Sequence, residues 1–175
     1  MTQPRILIAC IGNIFLGDDG FGTEVARRLA GRPLPEGVIV KDFGIRGFDL
    51  TYALLEPYEL IILVDACARG GEPGTIYVIK PDQATGSPAP LATHGMNPTN
   101  VLRLVQSMGG TSAQILIVGC EPADLGSEEE GKLGLSEPVA AAIDEAVATI
   151  DTLVSNALNG VSMEAEGRHY VNGTH

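Results

Sequence analysis

Five short apolar runs constrain this chain more than any other feature: RILIAC at 5–10, GVIVKD at 37–42, LIILVDA at 60–66, GTIYVIK at 74–80 and AQILIVG at 113–119. Each is rich in Ile and Val and bounded by turn residues, which reads as a strand. Most are apolar on both faces rather than alternating, as a sheet covered by helices on each side requires. Helical patterns at 20–30, 49–55, 97–108 and 136–158 separate several of them. The expected fold is therefore α/β: three layers, α/β/α, around a five-stranded mixed, mostly parallel sheet. One connection breaks the alternation. Only CARGGEP lies between the third and fourth runs, too short for the crossover that parallel neighbours need, so the fourth strand is predicted to run antiparallel.

A chain of 175 residues with 45% hydrophobic residues suits one domain with a sizeable core. That domain is expected over 1–158. The most clearly marked helix in it opens LSEPVAAAIDEAV, with Ser136 predicted as N-cap and Pro138 in the first turn. Residues 159–175 lack periodicity and are expected to be a mobile tail, which makes His169 and His175 tail residues rather than ligands. The net charge of −11 and pI near 4.5 leave no basic stripe for a phosphate backbone, so nucleic acid and anionic membrane are poor partners. No segment has the apolar length of a membrane span, and the N-terminus reaches Gly12 and Asn13 too soon for a signal peptide. Membrane insertion is not expected, and a cytoplasmic location is. Cys10, Cys67 and Cys120 are odd in number and far apart, so they read as buried apolar residues rather than a disulfide framework or zinc site.

The candidate chemistry begins in CIGNIFLGDDGFG, a loop between the first strand and the first helix, where open α/β sheets bind ligands. A P-loop would carry Lys and Ser or Thr after its second glycine, but Gly17 is followed by Asp18 and Asp19. The dinucleotide fingerprint is also absent, although Asp42 ends the second strand where a ribose-binding acid would stand. Two carboxylates would repel a pyrophosphate at those amides, so the loop suits a cation or a polar backbone. One of the pair is expected to cap the helix beginning at Gly20, leaving the other free. Asp65 directly follows an apolar strand, where a carboxylate is costly to bury unless it pairs or binds metal; the alternative is an Asx turn before Gly70 and Gly71. His94 stands outside the tail, after the Pro/Gly/Ser/Thr-rich loop at 81–93. Asp19, Asp65 and His94 are expected to converge on one edge of the sheet as a site for a divalent transition ion. There is no H-E-x-x-H helix and no G-x-S-x-G elbow.

CIGNIFLGDDGFG, DFGIRGFDL, LIILVDA, the short turn into GTIYVI, THGMN and ILIVGCEP, in this order and spacing, resemble the hydrogenase maturation endopeptidases. Those enzymes trim the large-subunit precursor of [NiFe] hydrogenases. The resemblance spans roughly residues 5–150 on coarse element boundaries. It implies a three-layer α/β/α peptidase whose metal-binding and catalytic residues match Asp19, Asp65 and His94 here. It also implies that Asp42, Gly44 and Gly47 meet the substrate. The metal would be nickel presented by the substrate, and the partner the nickel-loaded precursor, which loses its C-terminal extension. Position 19 is Asp where several family members carry Glu. The cleavage step implied is either metal-assisted or aspartic in type. A nickel-binding maturation chaperone without peptidase activity, or a nucleotide-binding module using Gly12–Gly22 and Asp42, are the alternatives.

Overall fold

The computed structural model describes residues 5–81 and 98–161, and the backbone of 170–172. The chain runs β1 (Ile6–Ile11), a 3-10 turn (Gly17–Gly20), α1 (Phe21–Ala30), β2 (Val38–Gly44), α2 (Gly47–Leu54), β3 (Leu60–Ala66) and β4 (Ile76–Lys80). It continues through α3 (Pro98–Ser107), β5 (Gln114–Cys120), α4 (Glu137–Ala141), α5 (Ile143–Leu158) and β6 (Tyr170–Asn172). The sheet order is β2-β1-β3-β5-β4-β6. β2, β1, β3 and β5 are parallel, and β4 runs antiparallel to β5, as the nine-residue link at 67–75 demands. The expected three-layer, mixed and mostly parallel sheet is present. A sixth, three-residue strand extends it: Tyr170–Asn172, in the segment expected to be a mobile tail, pairs in parallel with the outer edge of β4. Unpaired N–H and C=O groups on that edge make such an addition favourable.

β1 is buried at every position, and β3 at every position but its last. Alternate residues go to opposite faces. Ile6, Ile8, Cys10, Leu60, Ile62 and Val64 pack with Phe21, Val25 and Leu29 of α1 and with Ile143, Ala146 and Ile150 of α5. Leu7, Ala9, Ile11, Ile61 and Leu63 pack with Leu50 and Leu54 of α2 and with Val101 and Val105 of α3. Two separate cores on one sheet are the physical content of the three layers. α1 sits unusually close to the sheet at Gly22, where a Cβ would fall 2.1 Å from the Ile11 carbonyl oxygen and 2.6 Å from that of Val64. Glycine is required there for close helix–sheet approach.

The long C-terminal helix is not continuous. Ala142 separates α4 from α5, its amide bonding Val139 O at 3.1 Å in a 3-10 step. Ser136 stands at the N-cap of α4 with extended backbone, but its side chain makes no capping bond. Its hydroxyl is engaged by Asp18 instead.

Candidate functional site

The chain reverses direction across the sheet between β1 and β3, leading to β2 on one side and β5 on the other. The crevice at the C-terminal ends of β1 and β3 is therefore the topological switch point, the ligand position of open α/β sheets. The 12–20 loop leaves β1 there, and Asp65 is the penultimate residue of β3.

The loop is folded by close backbone contacts. A Cβ on Gly12 would lie 2.1 Å from the Asp19 carbonyl oxygen, so only glycine lets the loop close back on the strand end. Gly12 N also donates to Gly44 O at 3.0 Å, joining the loop to the end of β2. The 3-10 turn that follows sends its two aspartates in different directions, since successive residues are rotated by about 120°. Asp18 is fully buried. Its carboxylate accepts from Ala123 N at 2.8 Å, Asp124 N at 2.9 Å, Ser136 N at 2.7 Å and Ser136 Oγ at 2.8 Å. Burial alone would raise this carboxyl, but the bonds from Ser136, Asp124 and Ala123 outweigh it and hold the group below the usual carboxylate range. Neither aspartate caps α1: its N-cap is Gly20, with no side-chain bond. The carboxylate expected to cap the helix ties the loop after β1 to the loop after β5.

Asp19 accepts from Asn13 N at 3.0 Å, across its own loop. Burial raises its carboxyl, and the Asn13 amide opposes the rise. Asp65 is 7% exposed and accepts from the amide of the next residue, Ala66, at 2.9 Å. Burial pushes it well above the usual range, the charge of Asp19 pushes it further, and the Ala66 bond only partly opposes them. Two carboxyl groups thus lie within electrostatic reach of each other with few donors, Asp65 buried and Asp19 half-buried, and the charge of Asp19 disfavours that of Asp65. The bond to Ala66 N also disposes of the alternative that Asp65 organises the turn at Gly70 and Gly71. That turn is held by Glu121, which is buried and accepts from Arg69 N at 2.8 Å, Gly70 N at 3.1 Å and Tyr77 OH at 2.9 Å.

Asp42 ends β2 beside the crevice. A bulge places Cys10 opposite Asp42 and Ile11 opposite Gly44, leaving Phe43 unmatched and buried in the second core. Asp42 Oδ1 accepts from Gly44 N at 2.9 Å and from Thr23 Oγ1 of α1 at 3.4 Å. Gly44 has φ 54°, a left-handed conformation natural to glycine, and Gly47 opens α2. Ile45 and Phe48, next to these glycines, and Phe15 in the first loop are exposed large apolar side chains on the same edge of the sheet. His94 lies outside the described residues; α3 begins four residues later at Pro98. Among the described residues no three His, Cys, Asp or Glu side chains gather as a metal cluster, so Asp19 and Asp65 offer two donors of the three expected. Both are hard oxygen donors with little hydrogen bonding, which fits a divalent ion that brings further ligands of its own. Burial pushes the Cys67 and Cys120 thiols up to about 12, and Cys10 higher still, so without a metal all three stay protonated.

The residues that sequence reasoning missed are Thr23, Glu121 and the anchoring roles of Asp18 and Ser136. The signal for Glu121 was present in GCEP, an acid one residue beyond a buried strand. For Asp18 it was the pairing itself, since two adjacent residues on a tight turn cannot face one target.

The fold is an open, mostly parallel α/β sheet with two carboxylates, Asp19 and Asp65, beside its switch point. Residues 23–152 match the family profile of hydrogenase maturation proteases, and the chain belongs to that family of peptidases. It is 30% identical over 168 residues to the hydrogenase expression/formation protein HupD of Rhizobium leguminosarum, covering 94% of this chain and 81% of that one. It is 28% identical over 148 residues to the hydrogenase 2 maturation protease of Escherichia coli, covering 82% of this chain and 86% of the relative. The hydrogenase maturating endopeptidase HybD of Escherichia coli has the same architecture, with a TM-score of 0.71, 25% identity, and coverage of 87% of this chain and 93% of that one. No helix among the described residues is long and apolar enough to cross a membrane.

Proposed function

We propose that this protein removes the C-terminal extension of a nickel-loaded [NiFe] hydrogenase large-subunit precursor, with Asp19, Asp65 and His94 completing the coordination of the nickel that the substrate carries. The observation that carries the proposal is the Asp19–Asp65 pair: one half-buried and one buried carboxyl, mutually repelling, each accepting a hydrogen bond from a nearby backbone amide. Keeping such donors uncompensated costs stability, and a cation delivered by the partner supplies the missing charge. An unloaded precursor brings no cation, so it loses that binding energy and is left uncleaved.

Water attack on the scissile carbonyl needs a proton acceptor and, at collapse of the tetrahedral intermediate, a donor to the leaving amine. Asp65 accepts a single backbone bond, which leaves a carboxylate oxygen to take the proton from water and return it to the amine, so Asp65 is assigned the acid–base role and Asp19 that of orienting the pair. Asp42, Gly44 and Gly47 line the approach, where the exposed side chains of Ile45 and Phe48 offer apolar contact to an extended peptide. The reaction is placed in the cytoplasm, in keeping with three unpaired cysteines.

The test is to incubate the purified protein with precursor purified with and without nickel, and to follow precursor mass by intact mass spectrometry. Loss of a single C-terminal peptide from loaded precursor alone, abolished by Asp19→Asn and His94→Ala, is the expected result. Binding of loaded precursor without any change in its mass would overturn the peptidase reading in favour of a nickel-recognising chaperone. Cleavage that ignores nickel would remove the metal from the mechanism.

A further inference from the structure

We propose that Asp18 is a positioning residue for the peptidase reaction: by clamping the loop after β5 onto the loop after β1, it fixes the direction in which its neighbour Asp19 faces. This rests on the assignment of Asp19 to the reaction centre.

The clamp has a definite geometry. Asp18 Oδ2 accepts three bonds, from Ala123 N, Asp124 N and Ser136 Oγ, and Oδ1 accepts from Ser136 N. These donors come from both ends of the segment between β5 and α4, so one carboxylate closes that segment into a loop. Backbone bonds run alongside: Asp18 N to Asp124 O at 2.8 Å, Gly17 N to Lys132 O at 2.8 Å, and Lys132 N to Phe15 O at 2.7 Å. Leu16 and Lys132 form a parallel bridge. A Cβ on Gly17 would lie 2.6 Å from the Asp124 carbonyl oxygen, so the two loops are in backbone contact with no room for adjustment. The 3-10 turn therefore cannot rotate about the chain without breaking four charge-assisted bonds.

Such a rotation would take Asp19 away from Asp65. Asp19 is held by one amide from its own loop, Asn13 N, whereas its neighbour is held by a separate part of the fold. With adjacent side chains about 120° apart on a 3-10 turn, the orientation of one dictates that of the other. The same clamp sets Ser136 at the head of α4, so its hydroxyl is spent on Asp18 rather than on capping the helix. The hydroxyl that local propensity would place at a helix cap is thus bound to the loop that carries Asp19.

The experiment compares Asp18→Asn, Ser136→Ala and Ser136→Thr with Asp19→Asn and the parent protein, using nickel-loaded precursor. Initial processing rates are measured across precursor concentrations at least 15 °C below each variant's melting midpoint, a working margin chosen with the few-degree shift per kcal/mol in mind. Exchange of the Asn13 amide is followed by NMR in the same samples. The expected result is a fall in kcat of about tenfold or more for Asp18→Asn with KM within about twofold, the pattern of lost transition-state positioning. Exchange at Asn13 should accelerate in parallel. Ser136→Ala should give a smaller fall in kcat, and Ser136→Thr, which restores a hydroxyl, should recover it. A folded Asp18→Asn with a lowered melting midpoint but parental kcat would overturn the proposal while leaving the site intact. Should Asp18→Asn fail to fold, the Ser136 pair decides: equal kcat for Ala and Thr overturns it. Full processing by Asp19→Asn would instead bring down the assignment of the centre, and the positioning role with it.

Discussion

Besides Asp42, four carboxylates among the described residues are buried or half-buried around the C-terminal edge of this sheet, and they fall into two unlike pairs. Asp18 and Glu121 are saturated with donors from loops distant in sequence. Asp19 and Asp65 take one amide each from a residue close by in the chain, and each raises its carboxyl by burial. The difference separates structure from chemistry more sharply than burial does, because Asp18 is more deeply buried than Asp19. A charge whose lone pairs are all occupied is part of the scaffold; one with lone pairs to spare is available to a ligand or a proton.

The largest test of this contrast is Asp18→Ala. It orphans four donors at once, and with each buried unpaired group worth roughly 1–3 kcal/mol the loss should be about 3 kcal/mol or more. Urea titration should show a lower midpoint, and the melting temperature should fall by on the order of 6–12 °C. Asp65→Asn should do the opposite. The folded pKa of Asp65 is raised, so folding favours proton uptake, and stability falls as pH rises from the ordinary carboxylate range through the folded pKa. Removing the charge should stabilise the protein at neutral pH by on the order of 1–2 kcal/mol while abolishing precursor processing, and thermal melts at acid pH should show the gain disappear. Asp18 has the reverse sign: its folded pKa is lowered, so its contribution is complete above the ordinary carboxylate range and lost as pH falls through the folded value. Acid unfolding should therefore be less steep in Asp18→Asn than in the parent. Glu121→Gln should cost less than the loss of Asp18, about 1–2 kcal/mol, since a carbonyl oxygen at the Oε2 position still accepts from the Arg69 amide and the Tyr77 hydroxyl and only Gly70 loses its partner. Asp124→Asn is the smallest: it weakens an exposed pair with Lys132 and should leave the melting midpoint unchanged within error.

The sheet was legible because doubly buried strands leave an unmistakable apolar run, and β1 and β3 are buried on both sides. The antiparallel β4 followed from chain length alone. Helix ends were less so. Local propensity makes Ser136 an ideal cap, but tertiary contact with Asp18, over a hundred residues earlier, claims the hydroxyl first. Of the site, Asp19 and Asp65 were legible by place and type, since a carboxylate at the end of an apolar strand has few harmless explanations. Which of two adjacent aspartates faces the crevice was not, because that depends on donors from residues 123–136 that meet them only in the folded chain. His94 lies outside the described residues, and the six-strand width came from Tyr170–Asn172, three residues too short to carry a pattern.

The 3-10 turn at Gly17–Gly20 has one more consequence. Because the loop is held chiefly at position 18, position 19 adds only one bond to it, from the Asn13 amide. A longer acid there changes the reach of the site without disturbing its frame, whereas inserting or deleting a single residue between them would point the wrong side chain at the crevice. The segment should tolerate changes of side-chain length over evolutionary time and resist changes of spacing, as a vernier permits fine adjustment only while its main scale stays fixed.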